Sequence, residues 1–412
     1  MKITTILPAK AQGKRDITRD RRVAMRALHW IVLLLSFFTL RAQADAPPAP
    51  FFNGFEKNTA GWFDGTNGGS GTITRRPSGY SNGGGYADGI PSAAGNWHAR
   101  VTGDSCDRTP ATNCTAPFTR WGGYSSTFPQ GGYLTQLDIY LDFNWSVGRV
   151  DYRFDWASSI NKNDGSFLRD FVFNAGTNPD GSGGFFINAS TNATRSGAFP
   201  ENPCPNPGPA SMPSNPCRTP AFIATSGWYT FRHTFRNDGG FLAVDFDIFP
   251  LGSSTPLAHW TIHAGDSMSI VGGNRYGWIV MDEIPDLAID NSLRTGLCHN
   301  GDGDGDVEGN DSRKAHMHFH KNTCDSSNDD VEEDDDSGSH FQSTSTDSAT
   351  FTPGEDNQSV TMIGTGLHNG LPVGFTMIAV DNQGLAPAVF TLILTDGYVI
   401  TGNVINGTVV VQ

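Results

Sequence analysis

Three histidines alternate with apolar residues in the sequence KAHMHFH, and they are His316, His318 and His320. On a β-strand these side chains would point to one face, about 6.8 Å apart at every second residue. Neutral imidazole groups in such a row suit Zn²⁺ or Cu²⁺. The pattern therefore indicates either a metal site or the solvated face of a strand whose opposite face, Met317 and Phe319, belongs to the core.

The histidines lie within an acidic segment. Residues 301–336 contain 13 Asp and Glu against 3 Lys and Arg, a net charge of −10. The run Asp302–Asp306, DGDGD, is similar to a calcium loop, but Val307 stands where an EF-hand has its turn glycine and Arg313 where it has its bidentate Glu. Residues 299–336 therefore indicate an acidic linker with a His-rich strand, and a weak calcium site is the alternative.

Six cysteines form three neighbouring pairs along the chain: Cys106 and Cys114, Cys204 and Cys217, and Cys298 and Cys324. Several connectivities are open to six cysteines, and pairing between neighbours requires the least rearrangement. An oxidising compartment favours disulfides over metal ligands. We therefore expect three local disulfides.

Two short segments combine arginine, aromatic residues and glycine, and their candidate ligand-binding residues are Arg120, Trp121, Tyr124, Arg275 and Tyr276. Sugar rings bind to flat aromatic faces through their apolar C–H groups, while their hydroxyls require polar partners at the rim. The segments therefore predict a glycan-binding surface. The alternative is that these aromatic residues are core, as Trp in a sandwich commonly is.

Common enzyme signatures are missing from the sequence. It has no Gly-x-Ser-x-Gly elbow, His-Glu-x-x-His motif, phosphate-binding loop or dinucleotide fingerprint. A retaining glycosidase needs two carboxylates about 5–5.5 Å apart, and Glu56, Glu201 and Glu283 are widely separated in the first domain. We assign no catalytic residue from the sequence.

The first 44 residues have the parts of a signal peptide. An apolar run of 11 residues, Trp30–Leu40, follows several arginines and precedes the small-x-small site Ala42-Gln43-Ala44. Met25 is a candidate for the true start, because the parts of the signal all follow it. No later segment reaches the apolar length of a membrane span, so we expect an exported chain without one.

Removal of residues 1–44 leaves 19 Lys and Arg against 40 Asp and Glu, a net charge of −21. This charge opposes nucleic acid and anionic membrane surfaces as partners. The chain is nevertheless 37% hydrophobic, 11% aromatic and only 17% charged. That composition excludes a disordered chain and a coiled coil, and it favours a folded, aromatic-rich β-protein.

Residues 45–298 predict a β-sandwich domain. Segments such as Leu137–Phe143, Val150–Trp156, Trp228–Phe235 and Leu242–Phe249 alternate between apolar and polar residues, as half-buried strands do. The run Asn237–Gly240 between the last two is a strong hairpin signal. Many such strands without helical periodicity predict two packed sheets.

Residues 337–412 predict a small antiparallel β-domain, and its first strand is predicted upstream at 315–320. Further strands are expected at 340–345, 348–352, 360–364, 373–380, 388–394 and 399–411, and the whole stretch from 337 onwards contains no Lys or Arg. The expected fold class is therefore all-β, with a sandwich followed by a second β-domain.

Four motifs resemble jelly-roll carbohydrate-binding modules and concanavalin-like lectin domains of bacteria: Gly54-Phe55-Glu56, Gly61-Trp62-Phe63, Trp228–Phe231 and Leu287–Asn291. The resemblance implies a jelly-roll sandwich and a structural calcium held by Glu56 and Asp290. The segment Phe390–Tyr398, followed by Gly402 and Gly407, resembles a small C-terminal β-domain of bacterial secreted proteins, which implies architecture only.

These observations predict a secreted, extracellular or periplasmic, non-catalytic protein that binds a glycan or another matrix or cell-surface component. A carbohydrate-active enzyme, such as a glycosidase or polysaccharide lyase, is one alternative. A structural or metal-binding surface protein is the other. Calcium is the only cofactor expected, in a structural role.

Overall fold

The computed structural model describes residues 50–65, 71–103, 117–191, 213–214 and 218–412. Apart from the short helix α1 (Phe143–Ser146) and a 3-10 turn at Ser326–Asn328, the regular structure within them is antiparallel β-strand, and the all-β fold class is confirmed. Two sheets form a sandwich-like unit, and a closed barrel follows it. The finer jelly-roll assignment stays a prediction. The predicted signal peptide lies outside the described residues.

An eight-stranded sheet forms one layer of the sandwich. Its strands are β1 (Phe51–Asn53), β3 (Thr72–Pro77), β4 (Trp97–Thr102), β6 (Tyr133–Leu141), β11 (Gly227–Asp238), β12 (Phe241–Pro250), β13 (Ala258–Ser267) and β15 (Leu287–Gly296). They are ordered β13-β12-β11-β6-β15-β4-β3, and β1 pairs with β15. As the turn signal predicts, β11 and β12 form a hairpin, from the Tyr229–Pro250 pair to the Asp238–Phe241 pair.

A seven-stranded sheet forms the other layer. Its strands are β2 (Trp62–Phe63), β5 (Phe118–Thr119), β7 (Arg153–Lys162), β8 (Phe167–Thr177), β9 (Phe185–Thr191), β10 (Ala221–Ile223) and β14 (Val271–Asp282). They are ordered β10-β9-β8-β7-β14-β5-β2. The short strand β5 therefore pairs with β14, and β2 pairs with β5 at the edge of the sheet.

Aromatic side chains fill the space between the two sheets. Phe173 of β8 contacts Phe231 of β11 and Phe246 of β12, with ring centroids 5.2 and 5.0 Å apart. His233 of β11 is fully buried among the same rings, and its burial lowers its pKa to about 3. The core therefore holds this imidazole neutral, as a packing group rather than a charge.

Eight further strands close into an antiparallel barrel. They are β16 (Asn300–Gly309), β17 (Lys314–Asn322), β18 (Asp330–Asp335), β19 (His340–Pro353), β20 (Gln358–His368), β21 (Leu371–Asp381), β22 (Val389–Leu394) and β23 (Val399–Val411). Each pairs with its sequence neighbour, and β16 pairs with β23 to complete the closure. In this arrangement alternate hairpins lie at the same end of the barrel.

The segment 299–336, expected from the sequence to be an acidic linker, belongs to this barrel and supplies β16, β17 and β18. In β16 the aspartates alternate outward with buried glycines, so DGDGD is a strand pattern rather than a calcium loop. A Cβ on Gly303 would lie 2.1 Å from the Phe319 ring. The glycines thus make room for large side chains of the neighbouring strands inside the barrel.

Of the three expected disulfides, the structure shows Cys298–Cys324, which joins the chain just after β15 to the loop between β17 and β18. It therefore links the sandwich to the barrel. The pairs Cys106–Cys114 and Cys204–Cys217 lie outside the described residues. No helix in the described part of the chain is long and apolar enough to cross a membrane.

The inward glycines of β16 give a first prediction. Gly303→Ala should lower the free energy of unfolding by about 1–3 kcal/mol, because the added methyl overpacks the buried Phe319 ring. Asp304→Ala changes an outward residue of the same strand and should alter stability by less than about 0.5 kcal/mol. Urea unfolding of both variants measures the difference. Equal free energies of unfolding for Gly303→Ala and Asp304→Ala would contradict the inward placement of Gly303.

Candidate functional site

Trp121, predicted from the sequence to bind a ligand, is a core residue. Its side chain is 0% exposed and packs edge-on against Trp156, with ring centroids 5.7 Å apart. Gly277 of β14 provides the space, since a Cβ there would lie 2.5 Å from Trp121 and 2.6 Å from Trp156. An enclosed indole cannot contact a ligand, so the assignment of Trp121 to a binding surface is wrong.

The four other predicted residues come together at the surface. The Tyr124 ring is 47% exposed, and its centroid lies 6.4 Å from that of Tyr276. The guanidinium carbons of Arg120 and Arg275 lie 5.4 and 5.1 Å from the Tyr124 centroid. Two segments far apart in sequence thus place their arginines around one exposed phenol ring.

Phenylalanines extend this group along the sheet, and the sequence analysis missed them. Arg120 also lies over Phe63 and Phe118, at 5.2 and 5.7 Å, and those two rings stack on each other. Arg275 lies 5.9 Å from Phe167. We name the whole set the arginine–aromatic surface; it consists of Phe63, Phe118, Arg120, Tyr124, Phe167, Arg275 and Tyr276.

Arg120 of this surface is exposed, whereas Arg275 is half-buried with its Nε enclosed. Arg275 Nη1 donates to Asn161 Oδ1 at 2.8 Å and to the Gly165 carbonyl at 3.2 Å, which fixes its orientation with neutral groups. Among the described residues no carboxylate pairs with Arg120 or Arg275. Burial raises the pKa of Tyr276, so its phenol stays protonated. The surface therefore offers cations and hydroxyls beside flat apolar rings.

A cleft of about 560 Å³ adjoins the surface and shares Phe63 and Arg120 with it. Its other wall is the β19–β20 hairpin of the barrel, through Glu355 and Asp356. Asp356 forms an ion pair with Lys57, and Glu355 accepts the Glu56 N–H at 3.0 Å. The contact between sandwich and barrel thus borders the arginine–aromatic surface.

The predicted histidine row lies on the outer face of β17, while Met317 and Phe319 are buried inside the barrel. His316 lies 3.2 Å from Asp306 and His318 lies 3.4 Å from Asp304, and His320 bonds to Asp302. Each imidazole therefore has a carboxylate of β16 beside it.

These pairs do not assemble into a metal centre. Across the described ranges no group of three or more His, Cys, Asp or Glu side chains is arranged to hold a metal ion. A complete metal shell would need further ligands such as His340 and His299. His340 pairs with Asp334 at 2.5 Å, and His299 stacks on Phe351. The row is thus placed as the solvated face of a strand, and metal binding by it stays a prediction.

Glu56 and Asp290, which the resemblance predicts to hold calcium, both bind the loop before β4. Glu56 Oε1 accepts the N–H groups of Asn96 and Trp97, each at 3.0 Å. Asp290 Oδ2 accepts those of Ala93 and Ala94, at 3.0 and 3.3 Å. One oxygen of each carboxylate thus accepts two backbone N–H groups, and calcium binding by Glu56 and Asp290 stays a prediction.

The carboxyl group of Asp290 is buried, and its pKa is raised. Burial, with a smaller contribution from the facing carboxylate of Asp138 on β6, raises the pKa of Asp290 to about 8 against the lowering effect of the backbone donors. Asp138 is itself buried, accepts hydrogen bonds from Thr230 and Asn291, and has a raised pKa. Two buried carboxyl groups therefore face each other across neighbouring strands.

Comparisons with models of protein families, with curated proteins and with solved structures each find no match. The resemblance to carbohydrate-binding modules and lectin domains therefore stays a prediction. The function is inferred from the geometry of the site.

The raised pKa of Asp290 predicts a pH-dependent stability. The unfolded carboxyl ionises near its usual value of 3.8 and the folded one near 8, so the unfolded state releases its proton first and stability falls as pH rises between these values. Asp290→Asn cannot ionise. Its melting temperature in chelator, relative to that of the parent, should therefore rise from pH 5 to pH 8.

The same melting-temperature measurements test the predicted calcium site. A difference between parent and Asp290→Asn that does not change with pH would contradict the raised pKa. A calcium-dependent rise in the parent melting temperature at pH 8, lost in Asp290→Asn, would show that the carboxylate holds a cation, since a ligand that binds only the folded state stabilises it.

Proposed function

We propose that this chain is an exported binding protein that holds a glycan, or another matrix or cell-surface component, on its arginine–aromatic surface. One observation carries the proposal: two arginines without carboxylate partners among the described residues flank the exposed ring of Tyr124. Flat rings pack against the C–H faces of sugars, and guanidinium groups donate several hydrogen bonds in a fixed plane.

The positive charge of this surface favours one class of ligand. Arg120 and Arg275 supply positive charge locally although the mature chain has a net charge of −21. Guanidinium groups match carboxylate and sulfate oxygens in bidentate geometry. An acidic glycan, bearing uronic acid or sulfate groups, therefore fits this surface better than a neutral one.

Other features agree with an extracellular binding role. The signal-peptide pattern at residues 1–44 supports export, and the Cys298–Cys324 disulfide is typical of an oxidising compartment. The four motifs similar to jelly-roll carbohydrate-binding modules support a glycan ligand. The cleft beside Phe63 and Arg120 would extend the contact beyond a single sugar unit.

A glycan array that includes neutral, uronic-acid and sulfated glycans tests the proposal on the mature chain. We expect retention of acidic glycans, weakened by salt because Arg120 is exposed and Arg275 is only half-buried. Tyr124→Ala and Arg275→Ala should each weaken binding about tenfold or more, equivalent to ~1.4 kcal/mol, while the melting temperature of each variant stays close to that of the parent.

Two control variants distinguish the loss of a ligand contact from the loss of folding stability. Phe241→Ala removes a ring that is 50% exposed on the other sheet, and it should bind as the parent does. Trp121→Ala should instead lower the free energy of unfolding by about 3–5 kcal/mol, because it empties a core site. The proposal fails if the folded protein retains no glycan, or if Tyr124→Ala and Arg275→Ala bind like the parent.

A further inference from the structure

Four hairpins of the barrel meet at one end and bring polar side chains together there. Arg313 lies between β16 and β17, Ser339 between β18 and β19, and His368 ends β20. Asp396 and Tyr398 lie between β22 and β23. Functional residues concentrate on loops held by a rigid scaffold, and here every hairpin at this end contributes one.

Three of these residues are connected in series. Ser339 Oγ lies 2.7 Å from His368 Nε2, and His368 Nδ1 lies 2.5 Å from Asp396 Oδ2. The hydroxyl thus bonds to one ring nitrogen and the carboxylate to the other. This is the order of contacts in a hydroxyl nucleophile, its base and the carboxylate that orients the base.

The carboxylate sets the tautomer of the imidazole. Asp396 accepts from His368, and that hydrogen bond lowers the pKa of Asp396, so the carboxylate is ionised at neutral pH. A proton on Nδ1 leaves Nε2 as an acceptor toward Ser339. The ring is further held by the Tyr398 ring, whose centroid lies 5.0 Å away. The base is therefore oriented and in the form that can receive the Ser339 proton.

The turn that carries Ser339 is fixed by Asp335. Asp335 Oδ1 accepts the N–H groups of Ser337 and Ser339, at 2.9 and 2.8 Å. The Tyr398 hydroxyl lies 3.0 Å from Asp335 Oδ2 and 2.6 Å from Glu333 Oε1, and its single proton serves these two acceptors. These bonds hold the backbone at Ser339, whose Oγ contacts His368 and also the Tyr398 hydroxyl.

We propose that Ser339, His368 and Asp396 form a hydrolytic triad that cleaves carboxylic esters. Ser339 Oγ attacks the ester carbonyl carbon and passes its proton to His368 Nε2. The ester C–O bond then breaks, and His368 returns the proton to the departing alkoxide. Water attacks the acyl-Ser339 intermediate through the same base, which releases the carboxylic acid and restores the Ser339 hydroxyl.

Asn369 is placed to stabilise the developing oxyanion. Its Oδ1 accepts the His340 N–H at 3.1 Å, which directs its Nδ2 toward His368 Nε2 at 3.4 Å. A side-chain amide beside the nucleophile can donate to the negative oxygen that forms during attack. In the proposed step Asn369 Nδ2 leaves His368 Nε2, which it contacts without substrate, and donates to that oxygen.

The surroundings define the class of ester. Leu371 is the cross-strand partner of His368 and is 70% exposed, so an apolar side chain borders the triad. Asp334 and Asp336 are exposed near the Ser339 turn and repel an anionic acyl group. The triad therefore fits esters with a short, uncharged, apolar acyl chain.

The test uses the mature chain with a fluorophosphonate probe and p-nitrophenyl butyrate. We expect the probe to label Ser339, identified by peptide mass mapping, and the ester to be hydrolysed. Ser339→Ala should abolish both. Asp396→Asn should slow hydrolysis at least about a hundredfold, because the tautomer is lost, and Asn369→Ala by about a hundredfold.

Ser348→Ala, which changes an exposed serine of β19, is the matched control and should behave as the parent. Melting temperatures show whether each variant is folded, and Asp396→Asn, which alters an exposed side chain, tests the triad even if Ser339→Ala unfolds. Absence of labelling and hydrolysis in the folded parent overturns the proposal. So does labelling that persists in folded Ser339→Ala, or hydrolysis unchanged in Asp396→Asn.

Discussion

The packing of Trp121 against Trp156 is the contact on which the arginine–aromatic surface depends. Trp121 adopts a left-handed backbone conformation, with φ of 55°, and its indole fills the space above Gly277. The chain leaves the core immediately on either side, so Arg120 and Tyr124 emerge next to Arg275. A buried residue thus positions the exposed ones, because the left-handed turn is held only by the core around it.

The sequence was sufficient to predict the fold class and most of the candidate surface. Period-2 alternation identifies strands such as β11 and β12, and arginine next to an aromatic residue identifies Arg120, Tyr124, Arg275 and Tyr276. It could not reveal that Trp121 is buried, because a buried indole and an exposed one have the same local sequence. The difference depends on Gly277, a residue distant along the chain.

The barrel is a second case in which the local sequence does not reveal how residues are placed. Acidic composition predicts a linker over residues 299–336, yet the closure of β16 against β23 makes it a wall of the barrel. The dipeptides Ser337-Gly338, Asn369-Gly370 and Asp396-Gly397 lie at the bends of three of its hairpins, as turn residues do. Only the closed topology shows that these bends share one end, and no short motif links the serine, histidine and aspartate found there.

The two proposed sites lie on different units and use different chemistry. The sandwich presents rings and unpaired cations among its described residues, which suit retention of an acidic glycan. The barrel presents a serine, an imidazole and a carboxylate in series, which suit cleavage of an ester. The arginine–aromatic surface borders the β19–β20 hairpin, whereas the triad lies on the hairpins at the other end of the barrel, so the two proposed sites are separate. The disulfide between Cys298 and Cys324 joins the sandwich to the barrel.

Side-chain NMR during titration with an acidic oligosaccharide tests the central claim most directly. The guanidinium Nε–H resonance of Arg120 and the ring resonances of Tyr124, both exposed, should shift as the ligand binds, while the indole N–H resonance of buried Trp121 stays in place. Shifts confined to other arginines, or no shift at a concentration that saturates binding, would contradict the assignment of the ligand to the arginine–aromatic surface.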